Sequence, residues 1–437
     1  MMRYYYRIRA IHRHMMIRKR IKKLFRAIGP GFITGASDDD PSGIGTYAQT
    51  GAQFGYTQLW AIFFSTPIMV VIQEMCARIG MVTGKGLTKV IAKKYSSWIL
   101  YGAVGLVIAA NTINIGADLG AMASSIQLLI PLPFAALVIA CALIIVLLEI
   151  FVSYKKYARI LKWLALSLFA YIVTAFIVHQ SWGAIIHSLL IPHIVFEKTY
   201  WLNIVALLGT TISPYLFFWQ ADEEVEEEIA RHRLAQKEEA IPHLKLHDIR
   251  AMRWDTVIGM VFSNVITFFV IITAAATLGV AGMTTIQTAD QAAQALIPLA
   301  GHFAFLLFAL GIVGTGLLSI PVLAGSASYA LSETIGWKTG LYRKFSKAKG
   351  FYSIIIVATI IGVCINFVNI PTFTMLYYTA ALNGITAPLL MILIIAIAND
   401  KKLMGEHTSS KTANAVAWIG VVAMGIAALA LLYSLVF

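Results

Sequence analysis

Long apolar runs recur through this chain almost without pause, and that recurrence leaves the lipid bilayer as the solvent in which it can fold. Eleven segments, near residues 30–52, 58–78, 98–124, 132–152, 160–180, 201–222, 255–279, 302–330, 351–368, 372–398 and 413–437, are each long enough for a helix to cross the hydrocarbon core. With 59% hydrophobic and 13% charged residues among 437, the composition is that of a polytopic membrane protein and excludes an ordinary soluble globule. In lipid every backbone polar group needs an internal partner, so the expected fold class is all-α, with eleven transmembrane helices.

The formal net charge of +13 would suit nucleic acid, but the Lys and Arg residues fall in short runs between apolar segments instead of on one polar module. No nucleic-acid partner is expected; membrane lipids are. Cytoplasmic loops concentrate Lys and Arg. An inside N-terminus places Lys85, Lys89, Lys93 and Lys94 in the cytoplasm, then Lys155, Lys156, Arg159 and Lys162, then the loop 223–254. The same parity brings Lys338, Arg343, Lys344, Lys347 and Lys349 inside, followed by Lys401 and Lys402, whereas residues 280–301 hold neither Lys nor Arg. An odd number of spans leaves the C-terminus on the far side of a plasma or bacterial inner membrane. Residues 1–27 read as a basic, aromatic cytoplasmic tail lying on the interface, since they lack the apolar region and small-residue cleavage site of a secretory signal. Cys76, Cys141 and Cys364 stand far apart, in or beside apolar runs, and read as buried small hydrophobes.

Two segments are interrupted in the middle. The first carries Asp40-Pro41-Ser42-Gly43 and the sixth carries Gly209-Thr210-Thr211-Ile212-Ser213-Pro214-Tyr215. Proline removes a backbone donor and clashes with the carbonyl four residues earlier, so each break frees carbonyls that need partners. Five spans separate the two breaks, so corresponding positions in two five-helix halves have opposite membrane orientation, the trace of an inverted repeat. The expected organisation is a first repeat over 28–180, a second over 181–400 that includes the cytoplasmic loop 223–254, and an eleventh helix within 401–437. One chain contains both repeats, so a monomer is expected.

Asp38, Asp39 and Asp40 sit within the first segment, where an exposed acid costs roughly 2.5 to 3.5 kcal/mol. A wet vestibule, a bound proton or a divalent cation would lower that cost. Asp40, next to the break, is the best candidate for a metal ligand. Thr210, Thr211 and Ser213 offer hydroxyls on the facing break, although an intramembrane threonine as readily bonds its own backbone. This oxygen-rich set, without Cys, Met or His in the short stretch, suits Mg²⁺ and tolerates Mn²⁺. Asp118, Asn366 and Asn369 are further polar groups at membrane depth, and Tyr377, Tyr378 and Asn383 interrupt the tenth segment. The acids from Asp222 to Glu228 read as a solvated face paired with the bases of RHRLAQKEEA, in preference to the alternative of a field that concentrates cations at the inner mouth. Glu149 and Glu333 are expected to serve helix ends or packing.

The stretches GPGFITGASDDDPSGIGTYAQTGA, IQEMCARIGMVTGKGL and GTTISPY together resemble the natural resistance-associated macrophage protein family of divalent-metal transporters, in order and spacing, over about residues 28–400. The resemblance implies a LeuT-like fold, in which two inverted five-helix repeats alternate access to a metal site between broken helices one and six. Asp40 and Pro41 match the family's Asp-Pro-Gly-Asn motif, while Ser42 and Gly43 replace its Gly and Asn, so the usual amide ligand is missing. Thr210 falls at an alanine whose carbonyl binds metal in the family, Ser213 replaces the sulfur ligand, and Tyr215 and Gln220 replace two histidines. Asp118 is retained, but Ala121 stands where a second acid is usual. The residue pattern and the resemblance together give expected metal contacts at Asp40, Gly43, Thr210, Thr211 and Ser213, with Asp38, Asp39, Ser42, Asp118, Tyr215, Gln220, Tyr378 and Asn383 lining the pore or lying farther out.

Loss of thioether sulfur weakens selection for soft metals, and loss of both histidines removes groups that titrate near neutrality. These departures resemble the family's magnesium-transporting branch. The expected function is potential-driven uptake of partly hydrated Mg²⁺, with Mn²⁺ also accepted, by alternating access, without proton coupling, covalent catalysis or a cofactor. A proton-coupled Mn²⁺ and Fe²⁺ importer is the nearest alternative. An intramembrane metal-dependent hydrolase is a remoter one, since HExxH and GxSxG arrangements are absent.

Overall fold

The computed structural model describes residues 29–152, 166–230, 246–368 and 370–436. Lys155, Lys156, Arg159, Lys162, Asn369 and the tail 1–27 lie outside the described residues. Every described regular element is helical. The first interrupted segment forms α1 (Pro30–Asp38) and α2 (Pro41–Phe54). Next come α3 (Leu59–Thr83), the short α4 (Leu87–Lys94), α5 (Ser97–Gln127), α6 (Phe134–Phe151), α7 (Phe169–Ile177) and α8 (Trp182–Leu190). The second interrupted segment forms α9 (Lys198–Thr211) and α10 (Pro214–Ala230). The remaining long elements are α11 (Leu246–Ala274), α12 (Ala304–Thr334), α13 (Lys349–Ile365), α14 (Thr372–Ala398) and α15 (Lys411–Val436).

Eight of these spans, counting α9 with α10 as one, are long and apolar enough to cross a membrane. The other three expected segments also carry helix: one is split into α1 and α2, one is described only over its last part as α7, and one is the shorter α13. The fold is thus an all-α polytopic bundle. Segments six and seven run farther than their hydropathy suggested, to Ala230 and from Leu246, because charged helical turns continue past the apolar core. Cys76 and Cys141 are buried as expected, but Cys364 lies on an outward-facing side of α13.

Both breaks are shorter than the sequence suggested and are built alike. Only Asp39 and Asp40 separate α1 from α2, and only Ile212 and Ser213 separate α9 from α10. Pro41 and Pro214 each open the following helix, where a missing N–H loses nothing and a fixed φ is already helical. The prolines therefore restart the helices, and Ser42, Gly43 and Tyr215 are helical.

Two broken helices meet at their gaps. On one side of the gap α1 packs on α10, and on the other α2 packs on α9. Small residues allow the backbones to approach: a Cβ on Gly35 would lie 2.2 Å from Gly259 O, and one on Gly209 would lie 2.1 Å from Ala380 O. The start of α1 is held by another element. Asp255 of α11 accepts the backbone N–H groups of Gly29 at 2.9 Å, Gly31 at 2.8 Å and Phe32 at 3.3 Å, acting as an N-cap from a distant part of the chain. Asp255→Ala is expected to loosen α1 alone: about 1.4 kcal/mol, within the range for a lost cap, raises amide exchange over residues 30–38 about tenfold by mass spectrometry.

Candidate functional site

Asp40 is the junction of the two broken helices. As N-cap of α2 it accepts the Gly43 N–H at 2.6 Å and the Ser42 hydroxyl at 3.0 Å through Oδ1. Its Oδ2 accepts the Asn114 amide of α5 at 3.0 Å and lies 3.4 Å from the Tyr215 hydroxyl of α10. That tyrosine also lies 3.3 Å from the carbonyl of Ser37, at the end of α1. Three helices thus converge on one carboxylate, and α1 is reached through Tyr215.

The neighbouring acids face elsewhere. Asp38 accepts from Ser213 at 3.2 Å and from Ser263 of α11 at 2.9 Å, and Asp39 lies 3.2 Å from the same Ser263 hydroxyl. One hydroxyl proton serves only one of these acids at a time. Asp118, one turn beyond Asn114 on α5, lies with its Oδ2 3.4 Å from the Ser319 hydroxyl of α12. None of the four acids is more than 1% exposed, so the conformation is closed to water on both sides of the break.

The second break supplies carbonyls and hydroxyls. Ser213 can donate to Thr210 O at 2.9 Å or Gly209 O at 3.3 Å as alternatives to Asp38. The Thr211 hydroxyl turns back onto its own helix, 3.0 Å from Leu207 O, the local bonding open to any intramembrane threonine. Thr210 Oγ1 and the Tyr47 hydroxyl crowd Gly43: a Cβ there would sit 3.0 Å and 3.2 Å from them. Glycine at 43 lets α2 and α9 close to this distance. The last carbonyls of α1 and α9 lack intrahelical partners, so they are oxygen ligands available to a cation at the gap. Among the described residues, no three His, Cys, Asp or Glu side chains gather as a metal cage. A cation here would meet one central carboxylate, hydroxyls, an amide and carbonyls, a hard oxygen set.

Other expected site residues lie apart from Asp40. The Gln220 amide donates to Glu224 at 3.0 Å, farther along α10. Tyr378 is 56% exposed and lines a cavity of about 180 Å³ beside Gly45, Gln49, Gln53 and Tyr377, between α2, α9 and α14. Asn383 is buried within α14, and Asn366 ties α13 to α5 through Gly116 O at 2.8 Å. The acids beyond Asp222 correct the expectation of a solvated face. Asp222, Glu223, Glu224, Glu226 and Glu228 are all buried, because α10 continues between α3, α4 and α12 instead of emerging into water. Glu226 accepts from the Tyr329 hydroxyl, and Glu333 accepts the Lys89 backbone N–H at 3.2 Å.

Asn114, Tyr47, Ser263 and Ser319 were not singled out from the sequence. Asn114 and Asp118 had a signal, a four-residue spacing on one helical face within NTINIGADLGA. The two serines sit in apolar helices with no local mark.

Most of the chain has relatives in sequence and in fold. A family model described as natural resistance-associated macrophage protein-like matches residues 31–434. A protein named as a divalent metal cation transporter, MntH, from Mesorhizobium japonicum is 24% identical over 409 residues, covering 91% of this chain and 86% of the relative. Among solved structures, a manganese transporter of Eremococcus coleocola superposes with a TM-score of 0.73 at 18% identity, over 93% of this chain and 86% of that one. A nucleobase-cation-symport-1 family transporter in a closed conformation superposes with a TM-score of 0.57 at 13% identity, over 93% and 91% of the two chains. With the family model spanning both broken helices and nearly every helix between and after them, the chain belongs to the natural resistance-associated macrophage protein family, whose members are membrane transporters and not enzymes.

Proposed function

We propose that this protein carries Mg²⁺, and Mn²⁺ with it, into the cytoplasm as a partly hydrated ion, without a coupled proton. The relatives are named for divalent metal and manganese transport, and the ion preference is argued from the site. The observation that carries it is the shell around Asp40: Gly43 N, Ser42, Asn114 and Tyr215, with Ser213 and Thr210 across the gap and neither sulfur nor imidazole among them. Hard Mg²⁺ prefers oxygen and gives up water reluctantly, so one carboxylate with neutral oxygens around it suits an ion that keeps part of its hydration. Asp40 is the direct ligand in this reading. Ser213, Gly43, Thr210 and Thr211 complete the gap, the last through its backbone because its hydroxyl is committed to its own helix. Asp38, Asp39, Ser42, Asp118 and Tyr215 border the ion's path. Gln220, Tyr378 and Asn383 lie along its approaches.

Alternating access follows from the division of the breaks. Parting of α2 from α9 would open Asp40 towards the cavity beside Tyr378, and parting of α1 from α10 would open it to the other side. The repeats 28–180 and 181–400 would supply these two halves, with 401–437 as an added span and 1–27 as a tail on anionic lipid. The distribution of Lys and Arg supports a cytoplasmic N-terminus, an extracytoplasmic C-terminus and an outward-facing Tyr378 cavity. A negative interior would then drive a divalent cation inward by about 4.6 kcal/mol per 100 mV. One chain holding both halves supports function as a monomer.

Purified protein in sealed vesicles tests this reading. Mg²⁺ uptake should proceed with a negative interior and leave lumenal pH unchanged. Mn²⁺ uptake that acidifies the lumen while Mg²⁺ is excluded would instead identify the proton-coupled importer.

A further inference from the structure

Two buried acceptors next to Asp40 have no donor. The Asn114 amide spends its Nδ2 on Asp40, yet its Oδ1 accepts nothing, and Asp118, one turn along the same face of α5, has an Oδ1 in the same condition. Both residues are fully buried. An unsatisfied buried acceptor costs about 1–3 kcal/mol, and these two share one helical face beside the proposed ion site, where a donor would satisfy both. A bare cation bound to Asp40 has no hydrogen to donate to them. The waters on a divalent cation supply it: their lone pairs face the metal and their O–H groups point outward, seeking acceptors.

We infer that Asn114 and Asp118 form an outer platform on α5 that accepts hydrogen bonds from water molecules retained by the cation. This rests on the Mg²⁺ reading above and adds to it a specificity-determining residue, Asn114. Its two amide atoms have separate tasks: Nδ2 orients the Asp40 carboxylate, and Oδ1, on the same carbon, is within one water's reach of the ion that carboxylate binds. Gly43 leaves the first broken helix without an amide at the gap, and α5 supplies one at a distance suited to a hydrated ion. A metal that sheds its water easily has little use for the platform; Mg²⁺ depends on it.

The experiment compares wild type, Asn114→Leu and Asn114→Asp in vesicles, with Mg²⁺ and Mn²⁺ fluxes and with binding of each metal by calorimetry. Leu keeps the branched heavy-atom shape and removes both polar atoms. Asp keeps acceptor oxygens and removes the N–H that holds Asp40. Asn114→Leu is expected to lower Mg²⁺ uptake and affinity at least about tenfold and those for Mn²⁺ less than about threefold, while Asn114→Asp keeps most of the Mg²⁺ preference. Equal losses for both metals in Asn114→Leu, or an Asn114→Asp variant that fails as badly on Mg²⁺, would show that the residue only positions Asp40 and would overturn the platform while leaving the Mg²⁺ reading intact. Wild-type protein that neither binds nor carries Mg²⁺ would overturn both.

Discussion

Asp40→Asn is expected to abolish metal uptake while leaving the fold in place. The substitution keeps an acceptor for the Gly43 N–H, and Asn is among the best N-cap residues, so α2 should still start at Pro41. What disappears is the negative charge. A cation at the gap would then be buried without its counter-charge, a loss of about 3 kcal/mol or more and hence at least about 100-fold in binding and flux. Asp40→Ala adds the loss of the cap, about 1 kcal/mol, and should also lower the melting temperature in detergent. The pair separates ligand from scaffold: near-normal flux in Asp40→Asn would remove Asp40 from the ion path, and a collapse of both variants in the melt would mark it as structural.

Ser213→Met should change which ion is carried. Ser213 closes the second gap, with its hydroxyl between Asp38 and the carbonyls of Gly209 and Thr210. A thioether there replaces a hard oxygen with a soft ligand and releases those carbonyls, which favours Mn²⁺ and Cd²⁺ over Mg²⁺. Vesicle flux should show the Cd²⁺-to-Mg²⁺ ratio rising about tenfold or more, at a stability cost of about 1–3 kcal/mol from the added volume. An unchanged ratio in a folded variant would mean that Ser213 does not face the ion and that selection lies with Asp40 and α5.

The residues around these two positions show how far local pattern reaches. Proline, Gly and small polar residues inside an apolar run marked both breaks, because a helix without an N–H donor must stop or restart wherever its tertiary partners lie. Their exact register was harder to read, since Pro41 serves equally as an interruption or as the first residue of a new helix, and packing of α1 on α11 decides the latter. Polarity alone grouped Asp38, Asp39 and Asp40. The neighbours that divide them, Ser263 for the first two and Asn114 with Tyr215 for the third, come from other helices. The Asp222 to Glu228 run misled for the same reason: seven residues dense in acids belong in water unless another surface covers them, and α3, α4 and α12 do.

From sequence alone followed everything that depends on each segment's own contact with lipid: the all-α class, the apolar segments, the two interruptions with the inverted-repeat trace their spacing leaves, and the cost of an acid such as Asp40 at that depth. The family resemblance added the LeuT-like placing of a metal site between the two broken helices. Tertiary structure decided which polar groups share a site, because hydrogen bonds there join residues 74 positions apart between Asn114 and Asp40, 175 between Ser213 and Asp38, and 225 between Ser263 and Asp38. Hydropathy sets how deep a side chain sits in the membrane. Only the packing of helices against one another sets what it faces there.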